Sequence, residues 1–360
     1  MYAKMGLVSV ASQVFDEVQE RNVVMYNTMI TGLLRCGMVK DSKRLFHGMK
    51  ERDSISWTTM ITGLIQNGLE AEAMDLFRDM RQEGMAMDQY TFGSVLTACG
   101  GLMALKEGKE IHTLIIRSGY NHNVFVGSAL VDMYCKCGSI EDSNQLFDEM
   151  SFRDEVSWTA LVSGYAQFGK ANETIDLFEK MLVQGLKPDA VTFIAVLSAC
   201  SRAGLVERGQ QYFESMLKDH GIIPFSDHYT CMIDLFGRAG RLEEAKNFIN
   251  KMPFSPDSIG WATLLSSCRL YGNEEIGKWA AESLLELDPQ NPAGYILLSS
   301  IYAAKGKWSN VAQLRRGMRE KGARKEPGFS WIKYKSKVYI FSADDQSSPF
   351  LIRYMLSWRN

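Results

Sequence analysis

The sequence predicts an all-α fold: a right-handed α-solenoid of stacked helix-turn-helix repeats, with a short irregular or β C-terminal extension. Three observations predict it. The phrase RDSISWTTMITGLIQNG at 52–68 returns as RDEVSWTALVSGYAQFG at 153–169, identical at eight of seventeen positions. Trp57, Trp158 and Trp261 keep register with it, 101 and 103 residues apart. Gly37, Gly68, Gly138, Gly169, Gly204, Gly240, Gly272 and Gly306 are separated by 31, 70, 31, 35, 36, 32 and 34 residues. A period of this size marks stacked supersecondary units. The interval of 70 is two units of 35, with Met103 where the missing glycine would fall.

Each glycine follows about fourteen residues of apolar-periodic sequence and precedes an apolar run ending in a Phe/Met pair, as in RLFHGM, DLFRDM, QLFDEM and DLFEKM. That order reads as helix, glycine-ended turn, helix. Ser139 with Asp142 has the form of a capping box opening a second helix. One hairpin cannot bury its apolar face alone, so the units must stack. Starting each unit fourteen residues before its glycine gives a partial unit at 1–22, then 23–53, 54–88, 89–123, 124–154, 155–189, 190–225 and 226–257. Residues 258–291 and 292–325 form two more hairpins with a different vocabulary. From Glu326 the pattern changes: EPGFSWIKYKSKVYIFSADD alternates around Trp331, Val338 and Ile340, which predicts a short strand pair.

With 40 basic and 42 acidic side chains, no global field points to nucleic acid. Residues 305–337, however, carry eleven Lys/Arg against Glu320 and Glu326. Arg315, Arg316, Arg319, Lys321, Arg324 and Lys325 in this stretch suit either a solvated face or a contact to phosphate or a partner. Cys36 and Cys137 share one register slot, Cys99 and Cys200 another, which reads as small core filling. Zinc-ligand spacing is absent, so no cofactor or metal is expected, and no apolar run reaches membrane-span length.

Units of 31–32, 35 and 35–36 residues in rotation resemble the plant pentatricopeptide-repeat family, specifically its P-L-S subclass. By that resemblance 54–88 and 155–189 are P-type, 89–123 and 190–225 L-type, and 23–53, 124–154 and 226–257 S-type. The hairpins at 258–325 look like the family's E-type motifs, akin to tetratricopeptide repeats, and EPGFSW like its Pro-Gly box. The resemblance implies a binder of single-stranded organelle RNA acting as a specificity factor for C-to-U editing, in mitochondria rather than chloroplasts. It implies a monomer, away from membranes, with a deaminase or editing-complex protein docking on 258–325. The alternatives are a tetratricopeptide-like protein scaffold and a non-functional remnant of a longer gene. Catalysis is not expected: none of His47, His112, His122, His220 or His228 is followed two residues later by Glu, and there is no CxxC.

The resemblance also assigns residues. One base per unit is read by the fifth and last side chains: Asn27/Asp53, Thr58/Asp88, Ser128/Asp154, Thr159/Asp189 and Thr230/Asp257, with Gly93/Asn123 and Ile194/Phe225 as poor readers in the L-type units. The second residues Val24, Ile55, Phe125, Val156 and Val191, with Tyr90 and Asp227 at the same slot, would sandwich the bases. An Asn amide matches the O4 and N3–H of uracil, whereas a Thr or Ser hydroxyl leaves room for a purine. The same Asn, Thr, Ser and Asp residues also suit helix caps. The tryptophans, one residue earlier, read as core anchors. With the family's approximate code the expected RNA is U-G-N-G-G-N-G, 5′ to 3′.

Counting back 31 residues from Gly37 reaches Gly6, so the chain is expected to start inside a repeat, with any presequence upstream. At the other end IRYMLSWRN fits no pattern. One added nucleotide ahead of suitable codons reads DQIYAKLEEL, an amphipathic segment of the kind that leads into the family's deaminase. The expectation is a frameshifted, disordered tail over 351–360.

Overall fold

A computed structural model describes residues 8–325, 328–334 and 337–342. The expectations for the chain start and for 351–360 fall outside these residues. The chain divides into two compact units, Met1–Cys231 and Met232–Asn360. In the first, α1 (Val8–Glu17) precedes hairpins α2–α3 (Val23–Arg35, Val39–Gly48), α4–α5 (Ser54–Gln66, Glu70–Gln82), α6–α7 (Gln89–Gly101, Leu105–Arg117), α8–α9 (Val124–Lys136, Ile140–Glu149), α10–α11 (Glu155–Gln167, Ala171–Val183) and α12–α13 (Ala190–Ala203, Val206–Lys218). Helix α14 (Ser226–Arg238) contains the boundary. The second unit continues with α15 (Leu242–Asn250), hairpins α16–α17 (Ser258–Tyr271, Glu274–Leu287) and α18–α19 (Pro292–Ala304, Trp308–Glu320), and the strands β1 (Phe329–Tyr334) and β2 (Lys337–Ser342). The strands pair antiparallel with Trp331 opposite Ile340. The fold class is that of an α-solenoid.

Turn chemistry closes each hairpin. The glycines of the 31-to-36-residue series all adopt left-handed φ, from 67° to 86°. Met103 takes their place with φ 51°, the single non-glycine residue with positive φ among those described. Its side chain stays exposed.

The ends of the second helices explain the two unit lengths. After the 13-residue α5, α7 and α11 come the left-handed Gly84, Gly119 and Gly185. The 10-residue α3 and α9 end on an arginine instead. Arg52 donates from Nε to Phe46 O (2.9 Å) and from Nη2 to His47 O (3.1 Å), and its guanidinium lies 5.0 Å over the Phe46 ring. Arg153 does the same with Phe147 O (2.6 Å), Asp148 O (2.7 Å) and the Phe147 ring (5.1 Å). Arg21 repeats it on Phe15 after α1.

Within the first unit, first helices pack on first helices: α2 on α4, α4 on α6, α6 on α8, α8 on α10, α10 on α12. One apolar cluster runs from Ile30 through Trp57, Phe77 and Phe92 to Tyr134. Each fully buried Phe in it contributes about 1.5–3 kcal/mol. Backbones approach so closely that a Cβ on Gly164 would run into the Cys135 side chain, and one on Gly63 into Leu34. Trp57, Trp158 and Trp261 are buried, edge-on to Phe46, Phe147 and Trp279 with ring centroids 5.0, 4.9 and 4.8 Å apart.

Two sequence expectations are corrected. Cys99 and Cys200 are core, but Cys36 is exposed and Cys137 only half-buried. Both follow a helix and precede a left-handed glycine, a position that turns outward. Ser139 does not form a capping box: its hydroxyl donates to Asp142 Oδ2 (2.6 Å), a carboxylate already held by Lys109 (2.7 Å).

Candidate nucleic-acid interface

Every unit's last residue opens the next unit's first helix. Asp53, Asp88, Asp154, Asp189 and Asp257 stand at the N-caps of α4, α6, α10, α12 and α16, each accepting from the N–H of the third helical residue. The hydroxyls of Ser56, Thr91 and Thr192 complete capping boxes with Asp53, Asp88 and Asp189. The carboxylates are therefore caps, as Asp residues at unit ends were suited to be. The fifth residues are not caps; they sit one turn inside their helices.

Fifth and last residues meet in two ways. In the 31-residue units they touch. Asn27 Nδ2 donates to Asp53 Oδ1 (3.3 Å), and the single hydroxyl hydrogen of Ser128 is shared between Asp154 Oδ1 (3.1 Å) and Val124 O (2.9 Å). Asn27 Oδ1 is left buried without a hydrogen bond. Burial pushes the Asp53 carboxyl up, but donors on Ser56 and Asn27 outweigh it and hold it below its usual value. In the 35-residue units a third side chain intervenes. Thr58 Oγ1 lies 2.7 Å from Thr91 Oγ1, which donates to Asp88 Oδ1 (2.8 Å). Likewise Thr159 Oγ1 lies 2.7 Å from Thr192 Oγ1, which donates to Asp189 Oδ1 (2.7 Å). Sequence reasoning missed Thr91 and Thr192. The signal was present, since Asp-x-x-Thr spells the capping box at both boundaries.

Other pairs do not meet in this way. Gly93 has no side chain to offer, and Asn123 Nδ2 donates to Gln89 Oε1 instead (2.7 Å). Phe225 has no side-chain acceptor to cap α14, and His228, the third helical residue, bonds back to it: its Nδ1 accepts from Phe225 N (3.3 Å), and Nε2 donates to Ala190 O (2.9 Å). Burial holds the His228 ring below its usual pKa, consistent with this neutral tautomer. Thr230 belongs to the first compact unit and Asp257 to the second.

The second residues carry the clearest physical signal. Val24, Ile55, Tyr90, Phe125, Val156 and Val191 remain 50–69% exposed while the layer beneath them is buried. Ile259 of the second unit, at the same slot of α16, is exposed too. A cavity of about 330 Å³ brings Ile55 and Tyr90 together with Thr58 and Asp88. Another, of about 530 Å³, gathers Phe125, Val156 and Val191 with Ser128, Asp154 and Thr159. Gly93 lines the second cavity beneath Phe125. The Tyr90 and Phe125 rings lie 5.7 Å apart and tilted by 59°, and a Cβ on Gly93 would stand 2.6 Å from Phe125 Cε1.

Arg315, Arg316, Arg319, Lys321, Arg324 and Lys325 are all exposed, and among the described residues none is seen in an ion pair. Lys305 and Lys307 differ, sharing Glu274 at 3.3 and 2.5 Å. No group of three or more metal-ligating side chains occurs among the described residues, and no helix there is long and apolar enough to cross a membrane.

Stacked hairpins with an exposed apolar side chain recurring at the second position of successive units define a helical-repeat protein. The chain belongs to the pentatricopeptide-repeat family. The PPR repeat families match residues 24–54, 52–101, 128–154, 153–202, 191–220 and 227–255, and the E motif matches 271–333. A pentatricopeptide repeat-containing protein of Arabidopsis thaliana is 50% identical over 98% of this chain and 61% of its own length. Two others from that plant carry organelle names: one chloroplastic (39% identical, 97% of this chain, 37% of its own), one mitochondrial (43%, 76%, 43%). The chain thus spans less than two thirds of these relatives. The crystal structure of the pentatricopeptide repeat protein PPR10 in complex with an 18-nt psaJ RNA element superposes with a TM-score of 0.69 over 90% of this chain and 55% of that one, at 17% identity.

Proposed function

We propose that this chain binds single-stranded organelle RNA in a sequence-specific manner, as a P-L-S-type specificity factor that marks a cytidine for C-to-U editing by a deaminase supplied in trans. The observation that carries the reading is the row of exposed apolar second residues beside fifth/last pairs whose donors converge on a carboxylate. Apolar side chains left in solvent at six successive unit boundaries, Val24 to Val191, serve no core; they match the faces of unstacked bases. Asn27/Asp53 fits uracil, and Thr58/Asp88, Ser128/Asp154 and Thr159/Asp189 fit guanine. The units with Gly93 and Ile194 leave their nucleotides open. Mitochondria remain the favoured compartment, with the organelle names of the relatives supporting an organelle in general.

Selection of bound RNA from a random pool tests this. Enrichment of U-G-N-G-G-N-G is expected, whereas selected RNAs without a common register would sink it. A protein contact on the last hairpins is favoured by a separate observation, a cavity of about 450 Å³ lined by Tyr295, Tyr302, Asn310 and Gln313. RNA binding that survives deletion of 258–325 would separate the two roles.

A further inference from the structure

The relayed contacts in the 35-residue units fix the direction of a proton. Thr91 Oγ1 has one hydrogen, and it goes to the Asp88 carboxylate at 2.8 Å. Its lone pairs then accept from Asp88 N–H (3.4 Å) and face Thr58 Oγ1 at 2.7 Å. An oxygen whose only proton is spent can only accept, so Thr58 is the donor. The same reasoning holds at Thr192, which donates to Asp189 Oδ1 (2.7 Å), accepts from Asp189 N–H (3.3 Å) and faces Thr159 at 2.7 Å. Thr91 and Thr192 are fully buried under the groove, out of reach of any ligand. Thr58 and Thr159 line its cavities.

We propose that Thr91 and Thr192, the third residues of the following units, are positioning residues that commit the Thr58 and Thr159 hydroxyl protons inward, so that these two reading hydroxyls offer the base only lone pairs. A purine presented to such an acceptor must bring a hydrogen. At the N1 position guanine has one, whereas adenine N1 is itself an acceptor and would meet lone pair with lone pair, its amino hydrogens lying on N6 instead. Freed from its relay, the threonine hydroxyl can rotate and donate to adenine as readily as it accepts from guanine. The equivalent third residues in the other class of boundary do not share this role. Ser56 Oγ bonds Asp53 Oδ1 (2.7 Å) and Ser157 Oγ bonds Asp154 O (2.8 Å), while Asn27 and Ser128 reach their carboxylates unaided.

The inference rests on the proposed base reading, and the experiment separates the two. Binding of U-G-N-G-G-N-G is compared with single G-to-A changes at nucleotides 2, 4 and 5, for the full chain and for the variants T91V, T192V, T91S, S157A and T58V. T91V keeps the shape of the side chain and should lower the preference for G over A roughly tenfold, the worth of one oriented hydrogen bond, at nucleotide 2 alone. T192V should do so at nucleotide 5 alone. T91S restores the hydroxyl and should restore the preference, and S157A should change nothing at nucleotide 4. Thermal melting close to that of the unaltered chain excludes loss of fold, and T91S reports the hydroxyl if T91V melts early. If T58V abolishes the preference at nucleotide 2 while T91V leaves it intact, the relay is overturned and base reading stands. If neither variant changes the preference, or the unaltered chain has none, base reading falls and the relay with it.

Discussion

Asn27 Nδ2 donates to Asp53 Oδ1 across 26 residues of sequence, and the same oxygen accepts the Ser56 N–H at 2.8 Å. One carboxylate oxygen therefore serves both as helix cap and as anchor for Asn27, the side chain proposed to read the first base. The two explanations for a recurrent Asp at the unit ends are not rivals. All hydrogen bonds seen at Asp53, Asp88, Asp154 and Asp189 from neighbouring side chains fall on Oδ1, which leaves the second oxygen for a ligand.

Replacing Asn27 by Thr should move the first nucleotide from U toward G, because the amide that mirrors uracil is gone and the shorter hydroxyl admits a purine. Selection from a random pool reads this directly. An unchanged first position would show that the assigned register is wrong.

Stability should separate neighbours on α10. Trp158 is 3% exposed and edge-on to Phe147, so Trp158→Ala should cost roughly 3–5 kcal/mol in urea unfolding. Thr159→Ala, at the groove, should cost about 1 kcal/mol or less and weaken discrimination at nucleotide 5 instead. Equal losses would contradict the facing of this helix.

Acid should destabilise the fold in a defined window. Burial lowers the pKa of both His112 and His228 below the model-compound value of 6.5. Below about pH 6.5 the unfolded chain takes up these protons before the folded one does, so stability falls with pH until the folded-state values are reached. Above that window the two rings contribute no slope. Asp53 adds a second loss at lower pH, below 3.8, as its depressed folded-state value is approached. Urea unfolding between pH 7.5 and 5 should show the decline, and H228Q should reduce its slope. A flat profile for the unaltered chain would refute the buried neutral assignment.

If the cations on α19 meet phosphate, the triple change of Arg315, Arg316 and Arg319 to Gln should lower the salt slope of RNA binding by about 2. A slope left unchanged would assign that face to a protein partner.

The fold class was legible because a 3.6-residue apolar period and a left-handed turn residue recur at one spacing. Even Met103, an unfavourable residue for that backbone, showed itself by its position in the series. The exposure of Cys36 was not legible: a cysteine before a glycine looks the same whether it faces core or solvent. Nor was the relay through Thr91 and Thr192. Motif reading pairs positions within a unit, whereas these side chains belong to the next helix and come into contact only when hairpins stack. The arginines Arg21, Arg52 and Arg153 were hidden for a related reason, since a charged residue before an Asn or Asp reads as surface until its guanidinium is found over a ring.

Those arginines have a consequence for how such a chain can change in length. Arg52 completes the helix behind it and Asp53 starts the helix ahead, and Arg153 with Asp154 repeats the arrangement 101 residues later. A cut between the members of either pair leaves no helix end without its partner. The stretch 53–153 is thus a cassette with matched ends. Removing or duplicating it in frame joins Arg52 to Asp154, or Arg153 to Asp53, and each junction restores the arginine-aspartate step already in use. Recombination between the two repeated phrases would add or remove three units at a stroke, and with them three nucleotides under the proposed one-base-per-unit reading, without the new protein having to solve its folding again.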